Sequence, residues 1–231
     1  MAKQDAVIPN ATLCSIVRDE EHNSAGGIEK WLRATLPHVL GAVVVDTGSI
    51  DRTLKILKRL QREYAHLRIY DYKFNGFSQT RNFALSQVRT RRALVLDADE
   101  LIEHESFDVL RRFVRANPVN GFNFEFKTFY ADGSCYNDEC GLNPRLFDVD
   151  GAEYVKDEEF GLDCYEGMKF PESYVSTAAP VRILHFKPAA DVVSRRRKEW
   201  YYSGNFLTQQ PLESARMLGW KENNPVRARF G

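Results

Sequence analysis

The sequence predicts an α/β fold: a mainly parallel central sheet with helices on both faces, and a smaller mixed or antiparallel half towards the C-terminus. Three patterns carry this prediction. Over the first hundred residues, short apolar runs alternate with stripes of helical period, the order that gives a parallel sheet with right-handed crossovers. The run Ala93-Leu94-Val95-Leu96 is continuously apolar, as in a strand buried on both faces. Beyond it, Phe122, Phe124 and Phe126 alternate with Asn123 and Glu125, the mark of a strand with one face buried. At 231 residues and 43% hydrophobic, the chain is long enough for a proper core and is read as one domain, 1–231.

The elements follow in order. Thr12 to Val17 reads as a strand, and Ile28, Trp31, Leu32, Thr35 and Leu36 then fall at the i, i+3, i+4, i+7, i+8 spacing of an amphipathic helix. Ala42 to Val45 is the second strand, ended by the turn-prone Asp46-Thr47-Gly48-Ser49. Ile56, Leu57, Leu60 and Tyr64 give a second helical stripe, Leu67 to Tyr70 a short third strand, and Arg81 to Val88 a third helix. Residues of about 12–102 look like a nucleotide-binding half, about 103–190 like a mixed second half, and 191–231 like a helical C-terminal segment.

Chemistry concentrates where strands end. Asp97 and Asp99 close an apolar strand one residue apart, facing the crevice in which open α/β sheets bind ligands. Two carboxylates so close raise each other's pKa unless a cation keeps both ionised, and a divalent metal is the expected occupant. The competing reading makes Asp97 or Asp99 the N-cap of a helix from Glu103 to Val114. Arg18 to Glu21 and Asp46 stand at the other two strand ends and line the same crevice.

Four blocks then come in a recognisable order: Ser15-Ile16-Val17-Arg18-Asp19-Glu20-Glu21, Val45-Asp46-Thr47-Gly48-Ser49-Ile50-Asp51-Arg52-Thr53, Gln79-Thr80-Arg81-Asn82-Phe83-Ala84 and Leu96-Asp97-Ala98-Asp99-Glu100. In these the chain resembles the family 2 glycosyltransferases, closely over residues 12–102 and more weakly at Asn143 to Phe147 and Ile183 to Lys187. Four linked blocks are far more specific than a lone Asp-x-Asp. The resemblance implies a Rossmann-like GT-A fold that binds a nucleoside-diphosphate sugar, with Mn²⁺ or Mg²⁺ on the diphosphate. It makes Asp99 the principal metal ligand. Asp97 binds the ribose or donor sugar, or reaches the metal through water, and Asp46 accepts a hydrogen bond from base or ribose. Arg18, Glu20 and Ala98 complete the nucleotide contacts, with Glu20 a weaker one. Arg81, read at the start of its helix, joins the helix N-terminus in stabilising phosphate charge.

His185, late in the apolar Val181-Arg182-Ile183-Leu184-His185-Phe186, is the candidate further metal ligand, because a neutral imidazole ligates Mn²⁺ beside carboxylates. Inverting transfer needs a carboxylate to take the acceptor's proton. The acidic stretch from Asp157 to Glu166 offers five, of which Glu158 and then Asp157 are the candidates. A carboxylate such as Asp46 pairs with the N3–H of uracil or with the N1–H and amino group of guanine, and the resemblance favours UDP or dTDP donors. The acceptor is a glycan, a lipopolysaccharide sugar, a lipid carrier or a protein side chain.

Composition limits the partners. Thirty-two basic residues balance thirty-two acidic ones, so no net field draws the chain to nucleic acid. Cys14, Cys135, Cys140 and Cys164 form no Cys-x-x-Cys pair, and no signal-like run opens the chain, so a reducing cytoplasm with free thiols is the expectation. No run approaches the roughly 20 apolar residues of a bilayer span, so any membrane contact is peripheral, at the inner face. Arg195 to Lys198, followed by Trp200, Tyr201 and Tyr202, form a basic and aromatic segment suited to pyrophosphate or an anionic lipid surface.

Two other function classes compete. A haloacid-dehalogenase-like phosphohydrolase also ends a strand in Asp-x-Asp, with Asp97 as nucleophile. Glu100-Leu101 stand where that family has Gly-Thr or Val-Thr, and the motif comes late in the chain. The third is an inactive nucleotide-sugar-binding module.

Overall fold

A computed structural model describes residues 7–129, 135–137, 142–156 and 166–187. The first strand, β1 (Ala11–Val17), leads through a loop to helix α1 (Ile28–Thr35) and a short 3-10 turn (Leu36–His38). Then come β2 (Gly41–Asp46), α2 (Thr53–Glu63), β3 (Leu67–Asp71), α3 (Phe77–Ser86), β4 (Arg92–Val95), the two-residue β5 (Glu100–Leu101) and α4 (His104–Ala116). The remaining strands are β6 (Gly121–Phe124), β7 (Phe126–Phe129), β8 (Cys135–Asn137), β9 (Asn143–Asp148), β10 (Glu153–Lys156), β11 (Glu166–Lys169), β12 (Ser176–Ala178) and β13 (Ile183–Phe186).

Seven strands form the central sheet in the order β12, β6, β9, β4, β1, β2, β3. β9 runs against both of its neighbours, while the β4-β1, β1-β2, β2-β3 and β12-β6 pairs are parallel. Alternate side chains divide between two cores, as a strand's period of two requires. Leu13, Ala42, Val44 and Leu94 face α1, α2 and α4, where Trp31, Leu32, Leu57, Leu60, Phe107 and Leu110 are fully buried. Cys14, Val43, Val45, Ala93 and Val95 face Ala84 and Leu85 of α3 and Tyr154 of β10. Burial on both faces is why these strands carry no polar alternation. Burial also pushes the Cys14 thiol up to about 12.

Two details differ from the sequence expectation. The alternation Phe122-Phe124-Phe126 is not one strand: all three rings are buried, but β6 belongs to the central sheet and β7 to a second sheet ordered β5, β13, β7, β8. The exposed Glu125 marks the break, and its carbonyl accepts the amide of Ile183 at 3.0 Å. Helix α3 begins at Phe77, four residues before Arg81. Its first turn buries the polar Ser78 and Thr80, so hydropathy hid the true start. No helix among the described residues is long and apolar enough to cross a membrane.

Candidate active site

Strands β1 and β2 end together, Val17 opposite Asp46, and carry two loops that brace each other. Asp46 is buried, and its Oδ1 accepts the amides of Gly48 (3.0 Å) and Ser49 (2.9 Å), folding the turn back on the strand end. Gly48 supplies the left-handed residue of that turn, at φ 97°. Asp46 Oδ2 is sealed from solvent with no hydrogen-bond partner among the described residues. Arg18 donates to the Thr47 carbonyl at 2.7 Å. The Glu20 amide donates to Thr53 Oγ1 at 2.7 Å, and its carbonyl accepts the amide of Ile28 at the start of α1. Asp19, itself at φ 52°, receives the Ile50 amide at 2.7 Å.

The Asp97–Glu100 turn after β4 lies beside these loops. It is not a helix cap: α4 starts at His104, its N-cap is Glu103, and no side chain caps it. Cations from distant elements meet the carboxylates instead. Arg81 Nη2 donates to Asp97 Oδ1 at 2.6 Å, and Arg145 Nη2 to Glu100 Oε1 at 2.7 Å. Arg81 therefore sits within α3 rather than at its N-terminus, and the helix-end contribution expected there is absent, because the helix begins a full turn earlier. Burial pushes the Asp97 carboxyl up, but the charges of Arg81 and Arg145 outweigh this and hold it below the ordinary range. For Glu100, burial dominates, and the neighbouring Asp97 and Asp99 add to it against Arg145, so its carboxyl is pushed up to about 7.

Asp99 and His185 face each other, with Nε2 3.7 Å from Oδ2 and both side chains partly exposed. Burial lowers the His185 pKa, but hydrogen bonding and charge from Asp99 raise it overall. β13 holds this pair in register: His185 stands opposite Glu100 across an antiparallel ladder, and the Phe186 amide donates to the Asp99 carbonyl at 2.9 Å. Ala98 is buried, and its carbonyl accepts Asn23 Nδ2 at 2.7 Å. No cluster of three His, Cys, Asp or Glu side chains suited to a metal occurs among the described residues. Glu158 and Asp157, the candidate bases, and Arg195 to Lys198 lie outside the described residues.

Sequence reading missed four residues that shape the site. Glu100 stood in the motif without a role, Arg145 only in a weakly similar block, and Asn23 and Trp31 gave no chemical signal. Trp31 Nε1 donates to the Glu100 carbonyl at 2.8 Å, yet its helical spacing marked it only as core.

The family model described as Glycosyl transferase family 2 matches residues 22–136. Among curated proteins, a cholesterol galactosyltransferase of Borreliella burgdorferi is 27% identical over 98 residues, covering 41% of this chain and 27% of that protein. A TPR repeat-containing protein of Synechococcus elongatus is 35% identical over 106 residues, covering 46% of this chain and 24% of its own length. The chain thus spans about a quarter of these relatives. A crystal structure of S. aureus TarS in complex with UDP-GlcNAc superposes with a TM-score of 0.56 at 17% identity, over 80% of this chain and 60% of that one, a likeness of fold.

Proposed function

This chain belongs to glycosyl transferase family 2, and we propose that it moves a hexose-type sugar from a nucleoside diphosphate to a hydroxyl acceptor, inverting the anomeric centre in one displacement. The observation that carries this reading is the convergence at one sheet edge. Asp46 with a free buried oxygen, Asp97 fixed by Arg81, and Asp99 facing His185 all stand at the carboxyl ends of β2 and β4. A nucleotide's base, its ribose or sugar hydroxyls, and its diphosphate require these three kinds of group in turn. A phosphohydrolase with Asp97 as nucleophile would leave Asp46 and the facing Asp99 and His185 without this division of labour.

We assign Mn²⁺ or Mg²⁺ to Asp99 and His185. One hard carboxylate oxygen and one imidazole nitrogen suit Mn²⁺, and their 3.7 Å separation lets both donors turn to one ion. Such a cation, when bound, offsets charge on the departing nucleoside diphosphate. Asp97, turned to Arg81, is assigned to a donor hydroxyl. Asp46 Oδ2 is assigned to the N3–H of uracil or thymine, the turn that seals it opening to admit the base, and UDP is the first donor to try because TarS crystallises with UDP-GlcNAc. Glu158, then Asp157, is assigned as base, and the acceptor as a glycan or lipid-linked sugar reached from residues 103–190. Arg195 to Lys198 are assigned as a lid over the donor, at a cytoplasmic location with any membrane contact peripheral.

Calorimetry with UDP-, GDP- and dTDP-sugars, with Mn²⁺ and with chelator, tests the reading. Metal-dependent binding of one nucleotide, abolished in Asp99→Ala and weakened in His185→Ala, is expected. A folded protein that binds none of them overturns it, and an aryl phosphate assay then tests the phosphohydrolase class.

A further inference from the structure

Glu100 is the most heavily engaged residue of the Asp97–Glu100 turn. It is 3% exposed, and its polar contacts among the described residues brace the turn. Oε1 takes Arg145 at 2.7 Å, and Oε2 takes the Asp97 amide at 2.9 Å. The Glu100 carbonyl takes the Trp31 indole at 2.8 Å, and the residue pairs with His185 across the β5-β13 ladder. Arg145 in turn lies 5.1 Å over the Phe126 ring, whose strand pairs with β13 on its other side. A single buried ion pair thus touches both the turn that carries Asp97 and Asp99 and the strand that carries His185.

A buried ion pair is a costly way to fill space, since two apolar side chains of similar volume pack as well or better. What an apolar pair lacks is a directed acceptor for the Asp97 amide. We propose that Glu100 and Arg145 are positioning residues that set the turn so that Asp97 meets Arg81 and Asp99 meets His185. This deepens the metal-assisted nucleotide-sugar reading and rests on it for the functional consequence. The conformational consequence stands without it.

The test compares Arg145→Met with the apolar double variant Glu100→Leu/Arg145→Met. Arg145→Met leaves the buried Glu100 carboxyl without its partner and lowers the urea midpoint, and the double variant recovers most of that loss. Mn²⁺-dependent UDP binding is expected to stay at least tenfold weaker than the parent's in both variants, the range seen when groups orienting metal ligands are removed. A double variant that recovers binding along with stability overturns the proposal, because the pair is then only structural. A ligand-free measurement separates this from the broader reading. In the double variant, hydrogen exchange at the Asp97 amide accelerates and the Trp31 indole resonance moves. If both match the parent, the positioning role is wrong, whether or not the parent binds UDP. If they change while the parent binds no nucleotide, the positioning role stands and the transferase reading fails.

Discussion

The turns after β2 and β4 solve one problem in opposite ways. Each ends a buried parallel strand in a carboxylate. Asp46 Oδ1 is satisfied by amides two and three residues ahead in its own turn. Asp97 and Glu100 are satisfied by arginines 16 and 45 residues away, from α3 and β9. A self-contained turn tolerates change elsewhere, whereas a turn held by distant charges is only as stable as the elements that deliver them.

The largest expected effect follows from this. Arg145→Met leaves the buried Glu100 carboxyl without its partner and is expected to cost about 2 kcal/mol in urea unfolding. A cost near zero would mean that the turn is as self-sufficient as the one at Asp46. Arg81→Met is expected to cost less, about 1 kcal/mol, since the Asp97 side chain is 35% exposed and water screens what the guanidinium leaves behind. In the local turn, Asp46→Ala loses the oxygen that accepts both amides, at about 1 to 2 kcal/mol, while Asp46→Asn keeps a carbonyl oxygen for them and stays within about 0.5 kcal/mol. Equal losses in the two variants would show that charge, not turn geometry, holds that loop. Gly48→Ala is expected to cost about 1 kcal/mol, because an L side chain is strained at φ 97° and its Cβ meets Arg18 Nη1 at 3.0 Å.

The smallest effect is a pH dependence that separates two histidines. His38, stacked on Phe107 at 3.9 Å, has its pKa lowered from 6.5 by burial and by the charge of His104. The unfolded chain therefore takes up this proton first, and the His38 contribution to stability is present above about pH 6.5 and lost as pH falls. His185 has its pKa raised, so its contribution is present below about pH 6.5 and lost as pH rises through the folded value. In chelator, His38→Gln is expected to gain on the parent as pH falls, and His185→Gln to lose. Thermal melts across that range check both, and parallel curves would remove both assignments.

Legibility in the sequence followed the same division between local and distant. β1, β2, β3, α1 and α4 appear within a residue or two of their expected places and α2 over its expected stripe, because apolar runs and helical stripes are local consequences of burial on a sheet. The start of α3 and the break at Glu125 escaped, because buried polar residues and a change of sheet leave the hydropathy pattern unaltered. The Asp-x-Asp turn was legible as a place where negative charge needed an answer, but the sequence pointed to a metal or to the amides of a helix N-terminus. Arg81 and Arg145 supply part of that answer from within the chain.

By itself, then, the sequence determined the α/β order, the strand ends where carboxylates collect and the family to which the blocks belong, since each depends on residues close along the chain. The tertiary structure alone decided which cation meets which carboxylate, and that His185 comes to Asp99 through its pairing with Glu100. Those partners are separated by tens of residues. No local preference encodes such contacts, and only the packing of β9 and β13 against the turn after β4 brings them within reach.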